Sequence, residues 1–380
     1  MEEKPEIIPS QGNALHTKQA PLKQHPATFL YRKAIPKSKM HSNDSRGKLG
    51  IVSCESGRHF SEKVIERLKE IIAKENNGNN IDISTKETFF ANTEVKTELG
   101  ESIRNKDIYI FQDTENKSQG LSVNDNYMAL KTAILAAKNS GAKHVTAVIP
   151  VFPYARQDKP KTREGINASM IARELEDIGV STIITLDVHN DAIGGFFRRA
   201  ILENLRASKD FMDYIKENIG VENLVIVAPD VGSAQRAGHY ARKLGVKLAI
   251  VHKERDYTTK SKVDRMTLVG DVKGKKAFIV DDLMDTAGTA VEAMKTLRAE
   301  GAEKVYFAVS LPLLNGPAVE KLNKAHKEGV FNKILGTNVI YREPGFKDKN
   351  TWYEEVNLEK YFARVIYNIN KGISISRLLE

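Results

Sequence analysis

Short apolar stretches alternate with longer amphipathic stretches from about Lys48 to the end of the chain. After residue 60, for example, Val64, Ile65 and Leu68 recur at helical spacing and line one face. The apolar stretches lie at 51–54, 108–111, 145–152, 182–186, 224–228, 248–251, 277–280 and 305–314. Short, nearly all-apolar strands between helices are typical of a mainly parallel sheet with helices on both faces, so the pattern predicts an α/β fold.

One unit of this pattern occurs twice. The first copy is a helix, then residues 140–145, then a strand that reaches Pro150. The second copy is a helix, then residues 300–305, then a strand that reaches Pro312. Two copies of one α/β unit are the simplest interpretation, with a boundary near residue 200.

The chain is therefore predicted to have four segments. The first 47 residues contain eight Lys and Arg, four Asp and Glu, and five of the twelve prolines, a composition that predicts a mobile tail. The C-terminal segment is expected to return to the N-terminal domain. The predicted segments are the tail at 1–47, the two α/β domains at 48–200 and 201–365, and the C-terminal segment at 366–380.

Composition excludes several classes of protein. A hydrophobic content of 41% and a mean hydropathy of −0.39, without an apolar run of about 18 residues, predict a globular chain and no membrane partner. Cys54 is the only cysteine, so no intrachain disulfide is possible and a cytoplasmic location is expected. The net charge of +9 has no basic stripe interleaved with aromatics, so no nucleic-acid partner is expected either.

The candidate chemistry begins at residues 276–289, KAFIVDDLMDTAGT, where an apolar strand ends in acid. Thr289 and Glu292 fit a helix capping box, which is the purely structural interpretation. A capping box does not explain Asp281 and Asp282, since adjacent carboxylates repel unless a cation or a polyol lies between them. A helix N-terminus suits a phosphate, and paired carboxylates suit sugar hydroxyls or hydrated magnesium. The pattern therefore favours a phosphosugar site.

Other strand ends also carry polar residues, which is where ligands collect in sheets of this type. These strand ends deliver residues 153–158, 187–189, 229–236 and 253–255, which include Arg156, Gln157, His189, Asp230, Lys253 and Arg255. The convergence of such side chains favours a site for phosphates and a metal. The chain has neither G-x-x-x-x-G-K-[ST] nor G-x-G, so the commonest nucleotide-binding loops are excluded.

These motifs together resemble the ribose-phosphate diphosphokinases, also called phosphoribosyl diphosphate synthetases. The similar stretches follow one another in the family's order and spacing, and cover the chain from about Lys48 onward. They are FANTEVKTELGESIR (90–104), VTAVIPVFPYARQD (145–158), DVHNDAIGGFF (187–197), VHKER (251–255), VDRMTLVGDV (263–272) and VDDLMDTAGT (280–289). The resemblance implies two tandem phosphoribosyltransferase-type domains.

The resemblance also implies an activity. Enzymes of this family transfer the β,γ-diphosphoryl group of ATP to the anomeric hydroxyl of ribose 5-phosphate, giving phosphoribosyl diphosphate and AMP. They use Mg²⁺ and assemble as homo-oligomers built from dimers, hexamers among them.

Residue roles follow from the matching motifs. Ribose 5-phosphate would be held by Asp281, Asp282, Asp285, Thr286, Ala287, Gly288 and Thr289. ATP would contact Arg156 and Gln157 of one subunit and Phe90, Asn92 and Glu94 of its neighbour. His189 and Asp230 would place Mg–ATP. Lys253 and Arg255, at the start of a polar loop (256–262) that closes over the phosphates, would be the catalytic cations.

The chain departs from the family pattern at Ser233, where a glycine is usual in the turn that contacts the diphosphate. This departure leaves open a catalytically silent regulatory subunit that binds active partners. A phosphoribosyltransferase, which consumes phosphoribosyl diphosphate, is the other alternative, although such chains generally hold one copy of the unit.

Overall fold

The computed structural model describes residues 46–74, 80–160, 162–254 and 265–379. Of Lys253, Glu254 and Arg265 it describes the backbone alone. Nearly all of the predicted tail, together with Arg255 and the loop at 256–262, lies outside the described residues.

The first half of the chain forms a six-stranded parallel sheet in the order β2-β1-β5-β6-β7-β8. Strands β3 and β4 form a separate antiparallel hairpin. The elements are β1 (Leu49–Ser53), α1 (Arg58–Ala73), β2 (Asp82–Ile83), β3 (Thr85–Phe89), β4 (Val95–Leu99), β5 (Asp107–Phe111), α2 (Val123–Asn139), β6 (His144–Val148), α3 (Asn167–Ile178), β7 (Thr182–Leu186) and β8 (Ile201–Leu205).

The second half forms a seven-stranded sheet in the order β11-β10-β9-β12-β13-β14-β15, parallel except for β11. Its elements are α4 (Ser208–Tyr214), β9 (Leu224–Ala228), α5 (Ala234–Leu244), β10 (Lys247–Glu254), β11 (Arg265–Val269), β12 (Lys276–Met284), α6 (Gly288–Ala299), β13 (Lys304–Pro312), α7 (Ala318–Lys327), β14 (Lys333–Thr337), α8 (Phe346–Lys349), β15 (Tyr353–Val356), α9 (Glu359–Asn370) and α10 (Ser376–Leu379). The predicted α/β fold with two mainly parallel sheets is confirmed.

The first sheet continues past the boundary that the sequence predicts at residue 200. Strand β8 pairs with β7 in register, Thr182 opposite Ile201 and Leu186 opposite Leu205. Its five residues are mostly half-buried, so periodicity gives little sign of which sheet they join. The first sheet therefore includes residues 201–205, which the repeat assigned to the second domain.

Of three apolar clusters among the described residues, one contains side chains of both halves. The aromatic ring of Phe60 in α1 packs edge-on against that of Phe362 in α9, with ring centroids 5.0 Å apart. At the end of α9, Asn370 Nδ2 donates to the carbonyl of Gly47 and to Asp107 Oδ2, each at 3.0 Å. Helix α9 therefore packs on the N-terminal half.

No helix among the described residues combines the length and the hydrophobicity needed to cross a bilayer.

Candidate functional site

A cleft of about 960 Å³ lies where polar strand ends of both sheets face each other. Most of the residues predicted for substrate and metal line it, namely Arg156, His189, Asp230, Asp281, Asp282, Asp285, Thr286, Ala287, Gly288 and Thr289. A smaller cavity of about 410 Å³ adjoins it, shares Arg156, His189 and Asp282, and adds Gln157. Because parallel strands present their carboxyl ends at the same edge, residues far apart in sequence meet here.

The acid pair lies near the end of β12, against both halves of the chain. Asp281 Oδ1 accepts hydrogen bonds from Ser233 Oγ at 3.2 Å and Arg236 Nη1 at 3.3 Å. Asp282 Oδ2 lies 2.9 Å from His189 Nδ1 and 3.4 Å from Arg236 Nη2. Arg236 thus spans the two carboxylates, and His189 reaches one of them from the first half.

The two carboxyls differ in their tendency to ionise. Burial and the nearby Asp282 carboxylate raise the pKa of Asp281. Burial also opposes ionisation of Asp282, but the hydrogen bond from His189 and the charge of Arg236 outweigh burial and lower the pKa of Asp282. The same hydrogen bond raises the pKa of His189. Asp282 is therefore the more acidic member of the pair.

The loop after β12 begins with a second contact between the halves. Asp285 Oδ2 accepts from Arg156 Nη2 at 2.8 Å, and Asp285 Oδ1 accepts from Asn315 Nδ2 at 2.9 Å. The backbone N–H of Asn315 donates to the carbonyl of Asp285 at 2.9 Å. Although burial acts against it, these partners lower the pKa of Asp285. Asp285 is therefore fixed at the mouth of the loop.

The helix after this loop begins without a side-chain cap. Ala287 is the residue before α6, has φ +58°, and makes no capping hydrogen bond through its side chain. The capping box that Thr289 and Glu292 fit in sequence, the purely structural alternative, does not form, since the helix begins at Gly288 and Glu292 Oε1 pairs with Lys295. The first amides of α6 consequently face a cleft rather than a hydroxyl, which suits an anion.

The metal prediction rests on His189 and Asp230. Both line the cleft, and Asp230 is exposed, with its Oδ1 accepting from the backbone N–H of Ser233 at 2.7 Å. Within the described ranges, no group of three or more His, Cys, Asp or Glu side chains could hold a metal ion. Asp230 supplies an oxygen ligand of the type that Mg²⁺ prefers, and Mg²⁺ usually binds through one or two carboxylates while substrate phosphates and water complete its shell.

Phe90, Asn92 and Glu94 lie elsewhere. They form the tip of the hairpin between β3 and β4, where the N–H of Phe90 donates to the carbonyl of Glu94 at 2.8 Å and Asn92 Oδ1 accepts from the N–H of Glu94 at 3.2 Å. All three side chains are exposed, and none lines the cleft or the adjoining cavity. Within one chain, the described fold does not bring them to the other predicted ATP residues.

The structure describes only part of the predicted catalytic cations. Lys253 lies at the carboxyl end of β10, where its backbone is paired with Met266 of β11. Its side chain, and the whole of Arg255, lie outside the described residues. Their catalytic role stays a prediction.

Sequence reasoning did not assign a role to Arg236 and Asn315, which hold the acid pair and the loop. Arg236 was visible as a cation just after a strand end, three residues beyond Ser233, so both lie on one face of a helical turn. Asn315 follows β13 and had no distinguishing pattern. Ser233, the residue that departs from the family pattern, donates its hydroxyl to Asp281.

Comparisons with known proteins agree with this architecture. Residues 49–179 match the N-terminal domain of ribose phosphate pyrophosphokinase, another name for the same family, and residues 199–349 match the phosphoribosyl transferase domain.

Three solved structures are similar to the chain. The crystal structure of phosphoribosylpyrophosphate synthetase from Mycobacterium smegmatis aligns with a TM-score of 0.73 and 29% identity, covering 86% of this chain and 99% of that one. A purine phosphoribosyltransferase from Pyrococcus horikoshii Ot3 aligns with a TM-score of 0.25 and 17% identity, covering 40% and 81%. The APRTase from Giardia lamblia aligns with a TM-score of 0.27 and 15% identity, covering 36% and 78%.

The two domain matches follow one another along most of the chain, and the synthetase structure extends over both. The chain therefore belongs to the ribose-phosphate pyrophosphokinase family.

Proposed function

We propose that the protein is an active ribose-phosphate diphosphokinase, which transfers the β,γ-diphosphoryl group of ATP to the anomeric hydroxyl of ribose 5-phosphate. The products are phosphoribosyl diphosphate and AMP. The observation that carries the proposal is the single cleft in which His189 and Arg156 of the first half meet the acid pair and loop of the second half. The phosphosugar residues thus line the same cleft as Arg156, and Gln157 lines the adjoining cavity.

The second half would bind the sugar phosphate. The carboxylates of Asp281 and Asp282 accept hydrogen bonds, as the ring hydroxyls of ribose require. The loop at 285–289 and the first amides of α6 would receive the 5-phosphate, where the helix N-terminus favours negative charge. The cost of about 1–2 kcal/mol for the left-handed conformation of Ala287 is consistent with a loop shaped for a ligand.

The first half would present the nucleotide. Arg156 has a side chain that is 55% exposed and reaches the mouth of the loop, and Gln157 lines the adjoining cavity. In the transfer, the anomeric hydroxyl gives up its proton to solvent and its oxygen forms a bond to the β-phosphorus, while the bond from that phosphorus to the α-phosphate oxygen breaks and AMP leaves with the electron pair. Such in-line transfer depends on positioning and charge neutralisation more than on covalent chemistry by the protein.

Charge neutralisation is the task of the cations around the cleft. His189 and Asp230 would hold Mg²⁺, which when bound supplies positive charge to the β- and γ-phosphates. Lys253 and Arg255 would donate to the phosphate oxygens at the other side, where charge develops during transfer.

Adenine recognition would need a second subunit. Phe90, Asn92 and Glu94 are exposed at a hairpin tip and line neither of the two cavities that hold Arg156 and Gln157 of their own chain. We expect a homo-oligomer in which this tip completes the site of a neighbour, first as dimers and then as rings of dimers. Sedimentation at assay concentration checks this expectation, and a fully active monomer would contradict it.

Activity is tested by incubating the full chain with ATP, MgCl₂ and ribose 5-phosphate, and separating the products by ion-exchange chromatography. AMP and phosphoribosyl diphosphate in equal amounts are expected. ADP as the sole nucleotide product would indicate an ordinary kinase and refute the proposal.

Two further outcomes would identify the alternatives. No reaction by the chain alone, together with stimulation of an active synthetase, would indicate a silent subunit. Consumption of phosphoribosyl diphosphate with a nucleobase would indicate a phosphoribosyltransferase.

A further inference from the structure

Arg236 contacts both members of the acid pair. It lies in the first turns of α5, is half-buried with 20% of its side chain exposed, and lines the cleft. Its Nη1 lies 3.3 Å from Asp281 Oδ1 and its Nη2 lies 3.4 Å from Asp282 Oδ2. A planar guanidinium with two separate donors fits two neighbouring carboxylates in a way that a point charge cannot.

The contacts around the pair are arranged on one side of each carboxyl group. Among the described residues, the donors to Asp281 all reach Oδ1, and they are Ser233 Oγ, Arg236 Nη1 and the backbone N–H of Asp282. The described donors to Asp282, His189 and Arg236, all reach Oδ2. The two carboxyl side chains also hydrogen-bond to each other. Apart from that mutual contact, no described donor reaches the second oxygen of either group, so a ligand hydroxyl can replace it there.

We propose that Arg236 is a positioning residue for the sugar site: it orients Asp281 and Asp282 so that their remaining oxygens accept hydrogen bonds from the hydroxyls of ribose 5-phosphate. This inference rests on the proposed function, since it assumes that the pair binds the sugar. Arg236 acts through the carboxylates and does not itself touch the reacting atoms.

A purely structural role makes a different prediction. If Arg236 only compensates buried negative charge, its loss lowers stability without changing which sugar the site prefers. If Arg236 positions the acid pair, its loss weakens the sugar hydroxyl contacts in particular. Selectivity between ribose 5-phosphate and 2-deoxyribose 5-phosphate therefore separates the two roles.

The test uses Arg236→Gln and Arg236→Lys in the full chain. Arg242→Gln is the matched control, because Arg242 is exposed in the last turn of the same helix and does not line the cleft. Calorimetry measures the Kd of each sugar phosphate in the presence of magnesium and α,β-methylene-ATP, which cannot transfer its diphosphoryl group. Steady-state kinetics then give KM and kcat for ribose 5-phosphate.

For Arg236→Gln we expect the Kd and KM for ribose 5-phosphate to rise about 10- to 100-fold, as for the loss of a hydrogen bond to a charged group. The turnover number at saturating sugar should change less than KM. The preference for ribose over 2-deoxyribose should shrink, Arg236→Lys should restore only part of the loss, and Arg242→Gln should match the wild type.

An unchanged Kd in Arg236→Gln, or a lower kcat with an unchanged preference between the sugars, would overturn the proposal. If Arg236→Gln does not fold, Arg236→Lys decides: a wild-type Kd and sugar preference would show that spanning the pair is unnecessary. Failure of the wild type to bind ribose 5-phosphate would instead refute the proposed sugar site itself. A wild type that binds and turns over, with unaffected variants, refutes the role of Arg236 alone.

Discussion

Asp281 and Asp282 are adjacent in sequence, yet their neighbours give them different ionisation. Burial and the adjacent carboxylate raise the pKa of Asp281, whereas the hydrogen bond from His189 and the charge of Arg236 overcome burial and lower that of Asp282. At the residue scale, therefore, the hydrogen bonds and charges around each carboxyl set its pKa, although the two residues are neighbours in sequence.

Lys253 is expected to act on charge that develops during transfer. Lys253→Ala should lower kcat by about 10²–10³-fold, or roughly 2.7–4 kcal/mol. Binding of ATP and of ribose 5-phosphate should weaken far less. Steady-state kinetics with both substrates check this. Lys247→Ala is the control, since Lys247 is exposed near the opposite end of β10. Near-normal turnover in Lys253→Ala would reject the catalytic role.

Asp282 is expected to act in substrate binding. Asp282→Ala removes a contact to the sugar that exists before transfer, so the KM for ribose 5-phosphate should rise while the KM for ATP changes less. Asp282→Asn keeps the volume and tests the charge alone. A large fall in kcat with an unchanged KM for the sugar would contradict this assignment.

At the scale of elements, the N-termini of α2 and α6 differ in their capping hydrogen bonds. Ser122 Oγ accepts from the N–H of Asp125 at 3.2 Å and Asp125 Oδ2 accepts from the N–H of Ser122 at 2.8 Å, which is a complete capping box for α2. The start of α6 has no such side chain. Side-chain capping is thus complete at α2 and missing at α6, whose first amides face the cleft, although α1, α3, α5, α7 and α9 also begin without a side-chain cap.

Ser122→Ala should therefore lower the free energy of unfolding by about 1 kcal/mol. Thr289→Ala should leave it within about 0.5 kcal/mol, because Thr289 caps no helix and is exposed. Urea unfolding followed by circular dichroism measures both. Equal losses in the two variants would show that the capping box of α2 adds nothing specific.

At the scale of the whole molecule, a buried acid joins the two halves. Asp113, two residues after β5, accepts at Oδ2 from the N–H of Tyr341 in the second half at 3.1 Å. Burial raises the pKa of Asp113 to about 7. His59 lies beside it, with Nε2 3.3 Å from the carbonyl of Val339, and burial lowers the pKa of His59 to about 4.

These shifts affect stability in opposite directions. Between about pH 4 and pH 7, folded Asp113 keeps a proton that the unfolded chain releases, so its contribution to stability falls as pH rises. Between about pH 4 and pH 6.5, folded His59 is neutral while unfolded His59 binds a proton, so its contribution rises with pH. The two effects partly cancel in the wild type.

Single variants should separate them. Relative to the wild type, Asp113→Asn should gain stability as pH rises from 4 to 7, and His59→Gln should lose it from 4 to 6.5, each by at most about 1.4 kcal/mol per pH unit. Urea unfolding at half-unit pH steps measures the slopes. Curves parallel to the wild type would show that neither group is shifted.

The sequence by itself determined the α/β class, the order of most strands and helices, and the acid pair followed by a loop of small residues. These are local properties, because hydrophobic period and turn chemistry depend on neighbours along the chain. For the same reason the sequence could identify Arg156, His189, Asp230 and the loop at 285–289 as parts of a site. It could not show which of these residues contact one another.

Only the tertiary structure decided which residues meet. Arg156 reaches Asp285 across 129 positions and His189 reaches Asp282 across 93, and no periodicity encodes such pairs. Arg236 acquires its place only because the first turns of α5 lie beside the end of β12. The pKa shifts follow from the same packing, since burial and charged neighbours arise only when distant segments are brought together.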